Sequence, residues 1–246
     1  MLVDQKEWYS EWFNSPYYHI LYKNRDEKEA EFLLTNLSRH LQFRKEDRIL
    51  DVACGRGRHA IYLNSIGFDV FGIDLSPESI SYAKQFENER LHFAVKDMRH
   101  IGFSGEFDYV LNVFTSFGYF QEENDNLQAV KSMAGALKPG GTLVMDFMNS
   151  EKTLKELVKC EVKEEDGIKF FIERTVKDAF LLKKINFKDQ GIHYAFEEKV
   201  KPLTYSDFIK YFNFAGLSVK EVFGDYSLNP FDSKTSDRMI FITEKN

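Results

Sequence analysis

Residues 48–63, RILDVACGRGRHAIYL, pass from an apolar strand-like run through a glycine turn into a helix-like run. The letters GRGRHA fit the pattern G-x-G-x-x-[GA], in which small residues let the backbone approach a ligand at the N-terminus of a helix. A strand, a tight turn and a helix in this order are typical of the first unit of a nucleotide-binding α/β sheet. The glycine pattern alone leaves cofactors of hydride transfer and of methyl transfer open.

Strand-like segments recur through the first 150 residues, and helix-like segments with apolar residues at helical spacing separate most of them. The strand-like segments are RILDVA, DVFGIDL, LHFAVKD, FDYVLNVF and TLVMDFM, and SVKEVFGDY and RMIFITEK follow near the end of the chain. Their apolar runs indicate buried parallel strands. We therefore predict an α/β fold with a Rossmann-like, seven-stranded, mostly parallel sheet and helices on both faces.

The pattern changes after residue 150. Three consecutive segments, IKFFIERTVKD, FLLKKINFKD and IHYAFEEKVK, show partial alternation with period two and are separated by tight breaks, which predicts an antiparallel β-meander. We predict a single domain over residues 1–246, with a helical, aromatic-rich N-terminal cap over residues 1–45 and an inserted β lid over residues 160–201. The alternative role of the meander is a dimer interface, which would make the protein a homodimer.

Composition narrows the class of partner. The formal net charge of -6 argues against nucleic acid, whose affinity comes mainly from Lys and Arg contacts to phosphates. Cys54 and Cys160 lie far apart and provide neither a disulfide framework nor metal-ligand spacing, so we predict no metal. No apolar run approaches the roughly 18 residues that a membrane span needs. These features predict a cytoplasmic protein without a membrane or nucleic-acid partner.

The strand ends discriminate between the two kinds of cofactor. In an open parallel sheet the ligand lies beyond the carboxyl ends of the strands, where Asp51, Asp74 and Asp97 end the first three. An acid beside the glycine turn would repel a pyrophosphate and attract the ammonium group of S-adenosylmethionine. The three acids therefore favour a cationic cofactor without phosphate. Arg56 and Arg58 could still neutralise a phosphate, so an NAD(P)-dependent oxidoreductase stays open as the alternative.

Several segments together resemble the class I S-adenosylmethionine-dependent methyltransferases. DVACGRG resembles the first motif of that family, with Ala53 where its first glycine most often stands, and GIDLSPESI, VKDM and LKPGGTLV fall where its later motifs lie. The resemblance covers roughly residues 15–150 and resumes from about residue 204. The aromatic N-terminus, the segment FTSFGYF and the insert after strand five are most similar to the small-molecule branch that includes glycine and aminosugar N-methyltransferases.

The resemblance implies an enzyme that transfers a methyl group from S-adenosylmethionine to an N or O atom of a small-molecule acceptor, leaving S-adenosylhomocysteine. A non-catalytic S-adenosylmethionine-binding protein is a second alternative. An amine acceptor needs only to be neutral, whereas a hydroxyl acceptor would want a base, so no catalytic residue is assigned.

The resemblance also implies roles for individual residues. Asp51 would lie near the methionine end of the cofactor, Asp74 would hold the ribose hydroxyls, and Asp97 would meet the adenine amino group. The predicted cofactor-binding residues are Tyr18, Arg25, Asp51, Ala53, Gly55, Gly57, Asp74, Leu75, Asp97, Met98, Asn112 and Val113. The predicted acceptor-pocket residues are Phe117, Tyr119, His193 and Tyr226.

Overall fold

The computed structural model of the protein describes residues 8–23 and 27–246. Its helices are α1 (Trp8–Phe13), α2 (Pro16–Leu21), α3 (Glu27–His40), α4 (Arg58–Ser65), α5 (Pro77–Ala83), α6 (Glu123–Ala136), α7 (Ser150–Lys155) and α8 (Tyr205–Ala215). Its strands are β1 (Arg48–Val52), β2 (Asp69–Asp74), β3 (Leu91–Val95), β4 (Phe107–Asn112), β5 (Leu137–Met148), β6 (Cys160–Glu165), β7 (Ile168–Lys177), β8 (Phe180–Asp189), β9 (Ile192–Val200), β10 (Leu217–Phe223) and β11 (Arg238–Lys245).

Seven strands form the main sheet, in the order β3-β2-β1-β4-β5-β11-β10. The first five of these run parallel, and β11 is antiparallel to both of its neighbours. The order reverses direction between β1 and β4, which is the switch point where open α/β sheets bind ligands. The predicted fold class is confirmed.

Each face of the main sheet is covered by helices. Successive residues of a strand point to opposite faces, and Ile49 and Leu50 accordingly belong to two different apolar clusters. The cluster around Leu50 contains buried residues of α6 and α8, and the cluster around Ile49 contains buried residues of α3, α4 and α5. None of the helices in the described ranges is long and apolar enough to cross a bilayer.

The meander forms a separate antiparallel sheet of four strands in the order β6-β7-β8-β9. Its three hairpins turn at Asp166–Gly167, Asp178–Ala179 and Gln190–Gly191, where both residues of each pair have positive φ. Such pairs are typical of type I′ turns, whose twist matches that of the flanking strands. The sequence segments anticipated three strands, and the additional edge strand β6 is almost entirely exposed and therefore carries little apolar alternation.

The two N-terminal helices pack on this second sheet. Trp12 and Leu21 lie in one buried cluster with Phe170, Ile185 and Phe187 of β7 and β8. The hydrophobic stripe of β7 explains the contact, because its alternate residues are buried on this face and exposed on the other. The described N-terminal helices therefore pack their apolar side chains against the inserted sheet.

Candidate cofactor and acceptor site

A cavity of about 680 Å³ opens at the carboxyl ends of β1 to β3 and at the loop after β4. It is lined on one side by the turn after β1 and on the other by side chains of the N-terminal helices, among them Tyr18 and His19. Volumes of about 300–1,000 Å³ are typical of pockets for small molecules and cofactors. The cavity lies at the predicted edge of the sheet.

The turn after β1 takes left-handed backbone conformations. Ala53, Gly55 and Gly57 have φ values of 62°, 56° and 84°. A Cβ added to Gly55 would meet nothing within 4 Å, so this glycine faces open space, whereas a Cβ on Gly57 would lie 2.7 Å from the ring of Phe93. Gly55 thus provides a cradle that a ligand can fill, and Gly57 is required by packing beneath the turn.

Asp74 joins the end of β2 to the glycine turn. Its carboxylate accepts hydrogen bonds from the backbone amides of Gly55 at 2.9 Å and Ser76 at 2.8 Å. Burial raises the pKa of Asp74, and bonds from the Ser76, Gly55 and Leu75 amides oppose that shift. Asp74 and the 38 % exposed Leu75 both line the cavity. Asp74 is therefore both a structural acceptor and a carboxylate presented to the cavity.

Asp51 lies beneath the cavity wall with one carboxylate oxygen unsatisfied. Asp51 is 1 % exposed, and its Oδ2 atom has no hydrogen-bond partner among the described residues. Burial raises its pKa to about 7, the charge of Asp74 adds to that rise, and Arg58 and the Ala60 amide oppose it. An isolated buried carboxylate is costly, so Asp51 would gain from a cation bound nearby.

His59 connects this carboxylate to the cavity surface. The Arg58 guanidinium, which can only donate, lies 3.1 Å from His59 Nε2, so the ring proton belongs on Nδ1. His59 Nδ1 lies 4.0 Å from Asp51 Oδ2, and the imidazole stacks on Phe114 at 4.9 Å. Burial lowers the pKa of His59 to about 3, with Arg58 contributing, so the ring is neutral.

Asp97 and Met98 line the cavity after the end of β3. The Asp97 carboxylate is engaged by the Arg99 guanidinium at 2.6 Å and by the Arg99 amide at 2.8 Å. Burial opposes ionisation of Asp97, but the bonds from Arg99 outweigh it and lower the pKa. Asp97 is thus ionised and held in place, and its proposed contact to adenine stays a prediction.

Three predicted residues near β4 lie behind the cavity wall. Asn112 is fully buried and donates to the carbonyls of Val52 and Ser116 at 3.1 and 3.2 Å. Val113 and Phe117 are buried in apolar clusters and do not line the cavity. Side chains alternate in direction along the end of a strand, so neighbouring positions of the same loop form the wall instead.

That wall contains Phe114, Ser116, Tyr119 and Phe120. Of the predicted acceptor-pocket residues, Tyr119 therefore lines the cavity, with its hydroxyl donating to the Thr115 carbonyl at 2.9 Å. The other three, Phe117, His193 and Tyr226, do not line it.

His193 is exposed on β9 opposite Lys188 and is absent from the lining, so the structure does not bring it to the cavity. Tyr226 lies behind Phe114, with ring centroids 5.2 Å apart. Tyr18 lines the cavity, its contact with a cofactor stays a prediction, and Arg25 lies outside the described residues.

Sequence reasoning missed several groups of the cavity. His59 was not among the predicted site residues, but it is buried and lines the cavity. Arg56 also lines the cavity; its Nε atom is buried without a partner, and its guanidinium lies 4.8 Å from the Tyr82 ring. The only available signal was the position of both residues inside the glycine motif. His19, whose pKa is lowered to about 4 by burial and by Arg56, had no such signal.

The chain is similar to known proteins in sequence and in fold. Residues 49–141 match the model of a family described as "Methyltransferase domain". The chain is 42% identical to the putative methyltransferase YqeM of Bacillus subtilis over 44% of its own length and 45% of that protein. It is 28% identical to a glycine/sarcosine N-methyltransferase of Parasynechococcus marenigrum over 90% of its length and 78% of that protein.

A solved structure with the same fold is that of an S-adenosylmethionine-dependent methyltransferase from Clostridium acetobutylicum, which superposes with a TM-score of 0.77. That match has 21% identity and covers 94% of this chain and 96% of the other. The alignment with YqeM spans less than half the length of that protein, whereas the match to the Clostridium structure spans nearly the whole of both chains. Residues 49–141 therefore form a methyltransferase domain, and the motifs and the fold of the chain are similar to those of the class I S-adenosylmethionine-dependent methyltransferases.

Proposed function

We propose that the protein transfers the methyl group of S-adenosylmethionine to an amine nitrogen of a small-molecule acceptor. The observation that carries the proposal is the cavity itself, which combines the glycine turn and strand-end acids on one side with an aromatic wall on the other. One relative that aligns over most of this chain acts on glycine and sarcosine by its name, and both are small amines.

The residues around the turn fit S-adenosylmethionine. The unsatisfied, buried Oδ2 atom of Asp51 favours a nearby cation such as the ammonium group of that cofactor. The open space at Gly55 accommodates a ligand against the backbone. The Asp74 carboxylate accepts from the Gly55 and Ser76 amides and also lines the cavity, where it can accept from a ribose hydroxyl.

The aromatic wall suits the acceptor. Phe114, Tyr119 and Phe120 follow β4, and Phe13 of α1 contacts Tyr119 with ring centroids 5.6 Å apart. Aromatic walls favour compact, partly apolar or cationic ligands. The second sheet contributes none of the described lining residues, so its proposed role as a lid would act through α1 and α2, which it supports.

The chain's own residues supply positioning. S-adenosylmethionine, when bound, supplies an electrophilic methyl group that an amine lone pair can attack in line. Holding two reactants in such alignment provides an effective molarity worth roughly 7 to 11 kcal/mol. The neutral acceptor is the reactive one.

Two measurements test the proposal. Calorimetry with S-adenosylmethionine, S-adenosylhomocysteine, NAD and NADP should show binding of the first two only. Transfer of labelled methyl groups should then occur to a member of a panel of glycine, sarcosine and amino-sugar nucleotides, and not to their hydroxyl analogues. Cofactor binding without transfer to any acceptor would support a non-catalytic binding protein instead. Transfer confined to the hydroxyl analogues would overturn the choice of nitrogen.

A further inference from the structure

A buried ion pair lies directly behind the aromatic wall. Asp146 of β5 is fully buried, and Arg238 of β11 donates to it from Nε at 2.8 Å. The same carboxylate accepts the Phe114 amide at 2.7 Å and lies 3.3 Å from the Tyr226 hydroxyl. Arg238 Nη2 also donates to Thr115 Oγ1 at 3.0 Å. The Asp146–Arg238 pair thus bonds to Phe114 and Thr115, the two residues of the first turn of the loop after β4.

That turn has a backbone that its residue types disfavour. Phe114 and Thr115 are consecutive non-glycine residues with φ of 61° each. A β-branched residue at positive φ is an outlier, and such a conformation persists only where the surroundings determine it. Further bonds hold it here: the Thr115 amide donates to the Asp146 carbonyl at 3.0 Å, and the Met148 amide donates to Thr115 Oγ1 at 3.1 Å.

The strained turn sets the direction of the wall. Phe114 stacks on His59 at 4.9 Å, and the Arg58 guanidinium lies 5.2 Å from its ring. The Thr115 carbonyl accepts from the Tyr119 hydroxyl, which fixes a second ring of the wall. If the turn relaxed to negative φ, both rings would lose these contacts. The buried pair therefore has an effect on the cavity without lining it.

We propose that Asp146 and Arg238 are positioning residues that hold the Phe114–Thr115 turn and so define the acceptor side of the cavity. The acceptor assignment rests on the proposed methyl transfer to a small molecule. The adenosine side of the cavity is independent of the pair, because Asp74, Leu75 and Met98 lie at or just after the ends of β2 and β3.

Amide hydrogen exchange tests the positioning without any acceptor. In Asp146→Asn, exchange of residues 113–120 should rise at least about tenfold relative to wild type, since the loop loses the fixed partner of its first amide. S-adenosylhomocysteine affinity, measured by calorimetry, should change by less than about threefold. With glycine and sarcosine as acceptor probes, KM for the acceptor should rise more than about tenfold and KM for the cofactor should not.

Three further variants keep the test decisive. Asp108→Asn is the matched control, because Asp108 also pairs with a cation, Lys138 at 2.7 Å, but lies at the start of β4 away from the cavity. It should leave exchange of residues 113–120 unchanged. If Asp146→Asn does not fold, Thr115→Val removes the shared hydroxyl without stranding a charge and should loosen the same segment, whereas Thr115→Ser should restore it.

The outcomes distinguish the positioning role of Asp146 and Arg238 from the proposed methyl transfer. Unchanged exchange at residues 113–120, or an equal rise along β5 and β11, would overturn the positioning role. A loss of S-adenosylhomocysteine affinity above about tenfold would overturn the assignment to the acceptor side. Absence of methyl transfer in the wild type would overturn the proposed function, while the exchange result would still decide whether the pair positions the turn.

Discussion

The Asp74 carboxylate accepts the Gly55 amide at 2.9 Å, so the acid that ends β2 holds the turn that follows β1. β1 and β2 are neighbouring parallel strands, and both Asp74 and Gly55 line the cavity. One carboxylate is thus needed both for the shape of the turn and for the surface presented to a ligand. Substitutions at Asp74 should therefore affect folding and binding together.

Asp74→Asn tests this double role. The amide retains one acceptor oxygen, but it loses the charge and the second acceptor that serve backbone amides in the unliganded protein. We expect S-adenosylmethionine affinity to fall tenfold to a hundredfold, which corresponds to about 1.5 to 3 kcal/mol for bonds to a charged acceptor. We also expect a lower melting temperature, because a backbone amide loses its partner. Calorimetry and thermal unfolding measure the two effects.

Asp69→Asn is the control for Asp74→Asn. Asp69 begins the same strand, 3.8 Å from Arg48, at the end of β2 remote from the cavity. It should leave both cofactor affinity and melting temperature nearly unchanged, because exposed ion pairs contribute little. If Asp74→Asn binds the cofactor like wild type and only unfolds earlier, Asp74 is a structural residue alone.

Asp51 should make cofactor binding depend on pH. Its pKa in the unliganded protein is raised to about 7, first by burial and then by the charge of Asp74. A bound ammonium group favours the ionised form and lowers that pKa, so binding releases a proton below pH 7. Affinity for S-adenosylhomocysteine should therefore increase between about pH 6 and pH 8. Calorimetry in buffers of different ionisation enthalpy measures the released proton, and Asp51→Asn reports the titration of the ligand alone.

The same carboxylate should destabilise the unliganded fold. A group whose folded pKa lies above its unfolded value contributes stability below the unfolded pKa, and that contribution is lost as the pH rises through the folded pKa. For Asp51 the loss falls between about pH 4 and pH 7, given its folded value. Asp51→Asn should consequently raise the melting temperature of the unliganded protein at pH 8 while weakening cofactor binding. If Asp51→Asn lowered both the melting temperature and the cofactor affinity, Asp51 would not destabilise the unliganded fold.

The main sheet and the turn after β1 could be predicted because their signals are local. Apolar runs mark buried strands, and the glycines of the turn mark positive φ within a few residues. The positions of Asp74 and Asp97 followed from strand ends in the same way. Gly55 and Gly57 were predicted as equivalent ligand-facing residues, and only the structure separates the open one from the one that Phe93 requires.

Features that join distant segments could not be predicted. Arg238 meets Asp146 across 92 positions of the chain, and Trp12 meets Glu198 across 186. Neither pair has a spacing rule, because each depends on how β11 and the second sheet pack. Packing also determines which side chains near the end of β4 face the cavity. The sequence therefore led to the prediction of Asn112, whereas Phe114 forms the wall.

Gly57 should be intolerant of a side chain because of Phe93. Gly57→Ala places a Cβ 2.7 Å from the Phe93 ring at φ +84°, so we expect a loss of about 1 to 3 kcal/mol in unfolding free energy and weaker cofactor binding. Phe93→Leu in the same chain should recover part of the loss, and a double-mutant cycle from denaturant unfolding measures that recovery.

Gly67→Ala separates the cost of a side chain at positive φ from the cost of the contact with Phe93. Gly67 also has positive φ, +99°, but its added Cβ would meet only the flexible end of Lys45. Gly67→Ala should lose the unfolding free energy that a side chain at positive φ costs, without a change in cofactor affinity. If Gly57→Ala and Gly67→Ala lose equal stability and Phe93→Leu recovers none of it, the ring of Phe93 does not constrain the turn.

Glu198 should control how firmly the N-terminal helices cover the cavity. Its carboxylate accepts from Trp12 Nε1 at 2.7 Å and from the Tyr22 hydroxyl, and Lys183 Nζ lies 3.5 Å from it. Glu198→Ala leaves the buried indole N–H unsatisfied, at a cost of about 1 to 3 kcal/mol, and detaches one anchor of α1 and α2. Tyr18, on α2, lines the cavity, so we expect chymotrypsin to cleave within residues 8–22 faster and S-adenosylhomocysteine to bind about threefold to thirtyfold more weakly. Glu197→Ala, one residue earlier on β9, removes a carboxylate from the opposite face and should change neither; equal effects of the two variants would show that the sheet, rather than this contact, determines the cover.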